Sequence, residues 1–435
     1  MLNLRHTVTQ DPGTVGLYLF ALAAFNLRSV ASLGCFLILY AMWREREQVW
    51  PRLRAEPLFW CTFALSVYAL LHAVVAIAAN PEHAQLHGKD AARIVYLGGF
   101  IAIAWALRDG QARTLRFLAL VAAGFVAGRL WHFDWYSDQL QPWWQTRTGL
   151  GLEPIALGYY AGTLLLGLVI FAPRLMQGAT GASSRVGLGL LLTCVAAASL
   201  QWVILSQSRA AWLALLPLLG LAAVFALRTS WLRGGLATTA LFALPLALLL
   251  VLAALNAPLL LERLSEEEQT IAYLLDGNLG AISSADERGW EHSIGTRITM
   301  LESGYRHWLE APLFGKGPGA TKLALQASDD RVLQSYNDYH NIVLDMLVRY
   351  GVVGMLLLLF CVKYTLSAGW QAWRSRALAP DMALFLACTM CFLLASSLSN
   401  FRLLNFDFRF WLFMVSGPMT GFVLFVRTSG DGDGG

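Results

Sequence analysis

Uncharged windows of about twenty residues recur along this chain, and residues 58–79, LFWCTFALSVYALLHAVVAIAA, are typical of them. A helix of about 20 apolar residues crosses the roughly 30 Å hydrocarbon core of a bilayer. Within that core the backbone N–H and C=O groups have only each other as partners, so a chain made of such runs folds as helices. Candidate spans lie at 13–25, 29–43, 57–79, 92–107, 114–131, 154–172, 186–206, 210–227, 236–256, 341–364, 381–400 and 409–427. That makes about twelve. The first two are short and separated only by NLRS, so one broken or re-entrant element is an alternative reading. Residues are 57% hydrophobic and 14% charged, with mean hydropathy +0.54, whereas soluble domains carry about a quarter charged residues. The expected fold class is therefore an all-α polytopic membrane protein, surrounded by membrane lipids. A net charge of +4 is too small to point to nucleic acid.

Charge placement orients the spans. Alternate short loops hold Arg44, Arg46, Arg52 and Arg54; Arg108, Arg113 and Arg116; Arg174 and Arg185; Arg228 and Arg233; Arg374 and Arg376. By the positive-inside rule these face the cytoplasm, as do both termini, and residues 257–340 face the far side. The start, MLNLRHTVTQDPGTVG, lacks the progression of a cleavable leader. The expected division is 1–256, N-terminal membrane helices; 257–340, a large, mainly helical outer loop; 341–427, C-terminal membrane helices; and 428–435, a disordered tail. Trp131, Trp135, Tyr136, Trp143 and Trp144 read as interfacial anchors, a plain aromatic belt being the blander account. Within the loop, Ile294, Ile298, Leu301, Tyr305 and Trp308 recur at helical spacing and predict one apolar face, ended by Pro312 and the GKGPG run at 315–319.

Few polar residues are placed to do chemistry. Arg209, in SQSRAAW (206–212), begins a helix whose N-terminal end already carries partial positive charge, so an anion is the expected partner. Free helix-start amides and a planar guanidinium suit phosphate oxygens. The competing account is an arginine snorkelling to lipid headgroups. Arg297 sits beside the apolar face of the loop helix, and Arg147, in QTRTGLGLEP, lies on the same expected side. Either one also fits a structural ion pair.

The stretch SYNDYHNIVLDMLVRYGVVG (335–354) runs from polar loop to apolar helix. Asn337 or Asp338 is placed to cap that helix, leaving His340 in or beside its first turn. There the helix dipole disfavours imidazolium, and a neutral ring would serve as a general base or orient a hydroxyl. Asp345 and Arg349, four apart, read as an intrahelical ion pair. His72 falls in a span and His83 and His87 in a short loop, without charged company. Arg402, Asp407 and Arg409 in NFRLLNFDFRF are further polar candidates on the outer side. All six cysteines lie in apolar runs. Cys388 and Cys391 have C-x-x-C spacing but no histidine or second pair, so packing is expected of them. No metal constellation and no cofactor motif is visible.

SRAAW (208–212), GTRITMLESGYRHWLEAPLFGKGPGA (295–320) and YHNIVLDMLVRYGVVG (339–354), in that order among about twelve spans, resemble the bacterial O-antigen ligases of the O-antigen ligase/polymerase superfamily. The resemblance covers roughly the second half; the first half matches only as generic hydrophobic helices. It implies a GT-C-like glycosyltransferase of the bacterial inner membrane, with a large periplasmic loop and its active site on the periplasmic side. The donor would be an undecaprenyl-diphosphate-linked O-antigen and the acceptor a sugar hydroxyl of the lipid A-core oligosaccharide. Transfer would be inverting, with neither cofactor nor metal. Arg209 and Arg297 would hold the diphosphate and His340 would activate or position the acceptor. Arg147 and Asn341 would be further substrate-binding candidates.

The nearest rival is an O-antigen polymerase, with the same donor and a second lipid-linked repeat as acceptor. A protein O-oligosaccharyltransferase fits less well, since those chains carry additional periplasmic sequence. From another class, a lipid-linked glycan transporter or flippase predicts mid-bilayer charges and internal pseudo-symmetry. Here the polar residues cluster at one face, and no repeat is evident.

Overall fold

The structure, a computed structural model, describes residues 11–133, 147–265 and 293–425. Among them every regular element is a helix. Among the described residues seven helices are long and apolar enough to cross a membrane: Pro57–Ala79, Gln111–Trp131, Pro154–Gly178, Ser183–Leu205, Arg209–Leu232, Ile342–Arg374 and Pro380–Ser399. The chain is a multi-pass membrane protein.

The remaining expected spans take other forms. Those at 13–25 and 29–43 are separate short helices, Pro12–Ala23 and Arg28–Arg44. The run at 92–107 is interrupted: a helix Ala84–Val95 passes through a 3-10 turn, Tyr96–Gly99, into Phe100–Ala106. Residues 210–227 and 236–256 are not two spans joined by a loop but parts of one helix, Arg209–Leu255, of 47 residues. At 1.5 Å per residue it is about 70 Å long. Arg228 and Arg233 suggested a loop there, yet no proline falls between 218 and 244, and Ser230 satisfies itself by donating to Ala226 O at 2.8 Å. Four of the five aromatic anchors, Trp135, Tyr136, Trp143 and Trp144, and the tail at 428–435 lie outside the described residues; Trp131 is exposed.

Two compact units, each discontinuous in sequence, make up the chain. The first combines Met1–Gly128, Met300–Ala379 and Ser397–Gly435. In it Pro12–Ala23 and Arg28–Arg44 meet at Gly16 and Gly34, where a Cβ on either would stand 2.6 Å from the other's carbonyl oxygen. Phe20 packs edge-on to Phe410 at 5.1 Å and stacks on Phe117 at 6.2 Å. The Phe100–Ala106 helix is buried on all sides. Its backbone touches helix Phe406–Leu424 at Gly421, where a Cβ would be 2.8 Å from Ala104 O, the close approach that small residues allow between membrane helices.

The second unit, Arg129–Thr299 with Pro380–Ser396, is built around Pro154–Gly178. This helix is buried along most of its length and pairs aromatically with Pro380–Ser399, Tyr159 on Phe392 at 4.9 Å and Phe171 on Phe385 at 5.2 Å. Of the cysteines in that last helix, Cys388 is buried and Cys391 exposed.

Candidate functional site

Arg147 and Arg209 come together at one turn of the second unit. Residues 206–208 join helix Ala182–Leu205 to the long helix. Ser208 has extended backbone and its hydroxyl accepts from Ala211 N at 3.4 Å, so it is the N-cap and Arg209 the first helical residue. Trp212 braces the turn by donating its indole N–H to Val203 O at 2.8 Å. Arg147 reaches in from a distant segment: its Nε donates to Ser206 O at 3.2 Å, and the neighbouring Thr148 N–H reaches Leu205 O at 3.2 Å. The turn thus presents a helix N-terminus with a guanidinium on its first residue and a second one at the Ser206 carbonyl. Both the dipole and the planar forks favour an anion there.

Arg297 lies near the start of helix Ser293–Leu309 and is partly exposed. The buried stripe of this helix differs from the expected apolar face: Leu301 and Tyr305 are 43% and 52% exposed, whereas Met300 and Gly304 are buried. Gly304 faces Leu344, with a hypothetical Cβ 2.4 Å from its Cδ2. Arg297, Met300, Gly304 and His307 recur three and four apart, so Arg297 stands on the stripe that carries His307.

His340 belongs to the first unit. Neither Asn337 nor Asp338 caps the helix that follows. Asn341 does: its Oδ1 accepts from Leu344 N at 3.1 Å, and its Nδ2 donates to Leu398 O at 3.1 Å, so both amide atoms are engaged in structure. His340 therefore precedes the cap instead of sitting in the first turn. Its backbone is left-handed, φ 53. The Asp338 carboxylate closes an Asx turn on it, accepting from His340 N at 3.0 Å, with the same oxygen 2.6 Å from Nδ1. Tyr336 packs its ring at right angles to the imidazole, 5.2 Å between centroids. The nearest electrostatic influence on the ring is thus a carboxylate and not the helix end.

Among the described residues four non-glycines have positive φ: Leu150, Gln207, His340 and Arg376. Three of them fall in the candidate segments, beside Arg147, beside Arg209 and at His340 itself. Strain of this kind, about 1–3 kcal/mol each, concentrates at functional sites.

The expected Asp345–Arg349 pair is present, Nε to Oδ1 at 3.2 Å, but it is part of a larger buried network. Arg349 Nη1 also pairs with Asp90 Oδ2 at 2.8 Å and donates to Pro318 O, and its guanidinium lies over Phe401 at 5.2 Å. Asp90 further pairs with Arg93 at 2.8 Å. The second oxygen of Asp345 accepts from Tyr339 N at 2.8 Å, immediately before His340. One charge cluster therefore holds both the GKGPG run and the backbone of the histidine turn.

His87 contributes too, against expectation. It lies buried in helix Ala84–Val95 and its Nδ1 accepts from Gly319 N at 3.1 Å. Burial first, and the neighbouring His83 next, push its pKa below the usual histidine range. Tyr339 O–H meets His307 Nδ1 at 2.9 Å, and burial likewise lowers the pKa of His307. Arg402 pairs with Asp407 at 2.7 Å, both buried, and Arg409 lies over Tyr96 at 5.5 Å.

Helix Ile342–Arg374 is broken at Gly351, φ 63 and ψ −168. The break frees backbone groups, and the segment 312–317 takes them up. Val352 N and Val353 N donate to Pro312 O and Leu313 O at 3.0 and 3.1 Å, while Lys316 N and Gly317 N donate to Val348 O and Arg349 O at 2.9 and 3.0 Å. Tyr68 O–H donates to Tyr350 O at 2.8 Å. Gly351→Ala is expected to destabilise by about 2 kcal/mol or more, since this φ/ψ region is nearly glycine-only. The added Cβ would stand 2.3 Å from Leu313 O. A thermal melt in detergent checks this, and an unchanged midpoint would contradict it.

Residues 194–359 match the family model described as O-Antigen ligase. No curated protein matches the chain. The matched stretch contains Arg209, Arg297, His340, Asn341 and the whole 312–317 exchange with Gly351; Arg147 lies outside it. The likeness to the O-antigen ligases is thus carried by residues 194–359.

Proposed function

We propose that the protein is an O-antigen ligase, transferring a glycan from undecaprenyl diphosphate to a sugar hydroxyl of the lipid A-core at the periplasmic face of the inner membrane, with both termini in the cytoplasm. The arginine turn carries this reading: Arg147 reaches Ser206 O at 3.2 Å next to Arg209 on a capped helix start. It is suited to a phosphate group, and the family match covers Arg209 together with His340.

In this reading the acceptor oxygen attacks the anomeric carbon of the donor sugar from the side opposite the diphosphate. The carbon–oxygen bond to phosphate breaks and its electron pair stays on the departing diphosphate, whose growing charge Arg209, with Arg297 and Arg147, stabilises. The hydroxyl proton passes to Nε2 of His340, and the anomeric configuration inverts. Donor and acceptor are both lipid-anchored, so lateral diffusion at one depth brings the reacting groups together. Asn341 takes part by fixing the helix start behind His340, both of its amide atoms being committed to the backbone.

The test is complementation of a strain lacking its own ligase. Wild type is expected to restore long-chain lipopolysaccharide, and His340→Ala, present in the membrane at equal level, is expected to leave the polymer on its carrier lipid. If His340→Ala still builds lipopolysaccharide, His340 is not the base. If the wild-type chain only lengthens carrier-linked glycan, in a strain lacking its polymerase, the protein is a polymerase.

A further inference from the structure

We infer that Asp338 is a positioning residue for His340, holding the imidazole in one tautomer so that Nε2 presents its lone pair to the acceptor hydroxyl. The inference rests on the reading of His340 as the group that receives the hydroxyl proton, and it names the residue that prepares it.

A neutral imidazole has one donor and one acceptor nitrogen, and which is which follows from the partner of either one. The partner here is a carboxylate: Asp338 Oδ1 lies 2.6 Å from Nδ1. An ionised carboxylate only accepts, so Nδ1 must carry the hydrogen and Nε2 is left as the acceptor. Charge-assisted bonds of this length are among the stronger ones.

The same oxygen accepts from His340 N at 3.0 Å. It thereby fixes the left-handed backbone, φ 53, along with the ring. Tyr336, edge-on at 5.2 Å, restricts rotation of the imidazole. From the following residues, Asn341 caps the helix and Asp345 holds Tyr339 N at 2.8 Å, so the turn is pinned on either side of the histidine. The side chains of His340 and Asp338 are about one-fifth exposed, at 22% and 21%, which leaves the ring within reach of a substrate. A carboxylate that orients a base and stabilises the cation formed when it takes a proton is a recurrent arrangement in acyl transfer; here it would serve glycosyl transfer.

Three variants and one spectrum test the inference. Asp338→Ala is expected to lower kcat for transfer by about 10²-fold, within the contribution of general base catalysis, while KM for the donor stays within about twofold of wild type, because Asp338 acts only through His340. His340→Ala is expected to abolish transfer, and the double variant to be no worse than His340→Ala alone, as befits two residues acting as a unit. In protein labelled with 15N-histidine and reconstituted in lipid, the His340 signals are identified by their loss in His340→Gln. Wild type is expected to show the Nδ1–H form, and Asp338→Ala a mixture of both forms. Asp338→Asn, of the same shape, repeats the kinetic test should Asp338→Ala melt early.

Wild-type kcat in both Asp338 variants, an Nε2–H ring in wild type, or a double variant clearly worse than His340→Ala would each overturn the inference while leaving the proposed function standing. Full activity in His340→Ala would instead remove the reading on which it rests.

Discussion

Replacing Arg349 with alanine is expected to destabilise the first unit by about 3–5 kcal/mol, the usual cost of stranding a buried charge by removing its partner. Both carboxylates lose a cation here, Asp345 its ion-pair partner and Asp90 one of two, Arg93 remaining, because Arg349 lies between them with its guanidinium out of solvent. Proton uptake by one of them lessens the cost without restoring the donor that Pro318 O loses. Asp345 would still accept from Tyr339 N but would no longer be fastened to the GKGPG run. The variant should therefore accumulate poorly, and in detergent it should be cleaved by protease between residues 312 and 341. Arg349→Lys would keep the charge and lose the fork that reaches Asp345, Asp90 and Pro318 at once, so it is expected to recover only part of the loss. A melting midpoint of Arg349→Ala within a degree or two of wild type would show the cluster to be dispensable.

Arg209→Ala is expected to lower kcat by about 10²–10³-fold, the effect of deleting one preorganised donor from a site where charge develops. The cap at Ser208 and the Trp212 brace are independent of the Arg209 side chain, so the helix start should persist. The donor's KM is expected to rise less than kcat falls, because the diphosphate gains charge as its bond to the sugar breaks. Transfer measured with purified protein and a lipid-diphosphate donor separates the two parameters. If Arg209→Ala only raises KM, its guanidinium binds the ground state and leaves the barrier untouched.

Some of this architecture is legible in the amino-acid order. Long apolar runs mark the spans, and a serine just before an arginine and an apolar stretch marks the helix start at Arg209. Asp345 and Arg349 announce themselves by their spacing of four, but Asp90 cannot be foreseen, since 259 positions separate it from Arg349. The buried stripe of Ser293–Leu309 misleads for another reason: its closest approach is made by Gly304, which carries no hydropathy signal, while Leu301 and Tyr305 remain exposed. The expected caps, Asn337 and Asp338, lie within a few positions of the actual one, Asn341, and periodicity does not choose among residues of one capping type. The continuity of Arg209–Leu255 is hidden because Arg228 and Arg233, of the kind that usually mark a loop, lie inside it, as do Pro217 and Pro245. Arg147, which lies outside the matched stretch, stands beside Arg209 through a tertiary contact to a main-chain carbonyl.

The exchange at Gly351 bears on how the protein is made. Lipid offers nothing to an open peptide group, so a spanning helix cannot stay interrupted while it waits for its complement. Residues 312–317 leave the ribosome before the interruption does and are on hand when it emerges. Maturation of this region is then a matter of timing: the earlier segment must be held near the membrane surface until the later one arrives, and a long insertion between them would delay that meeting and invite degradation by membrane proteases.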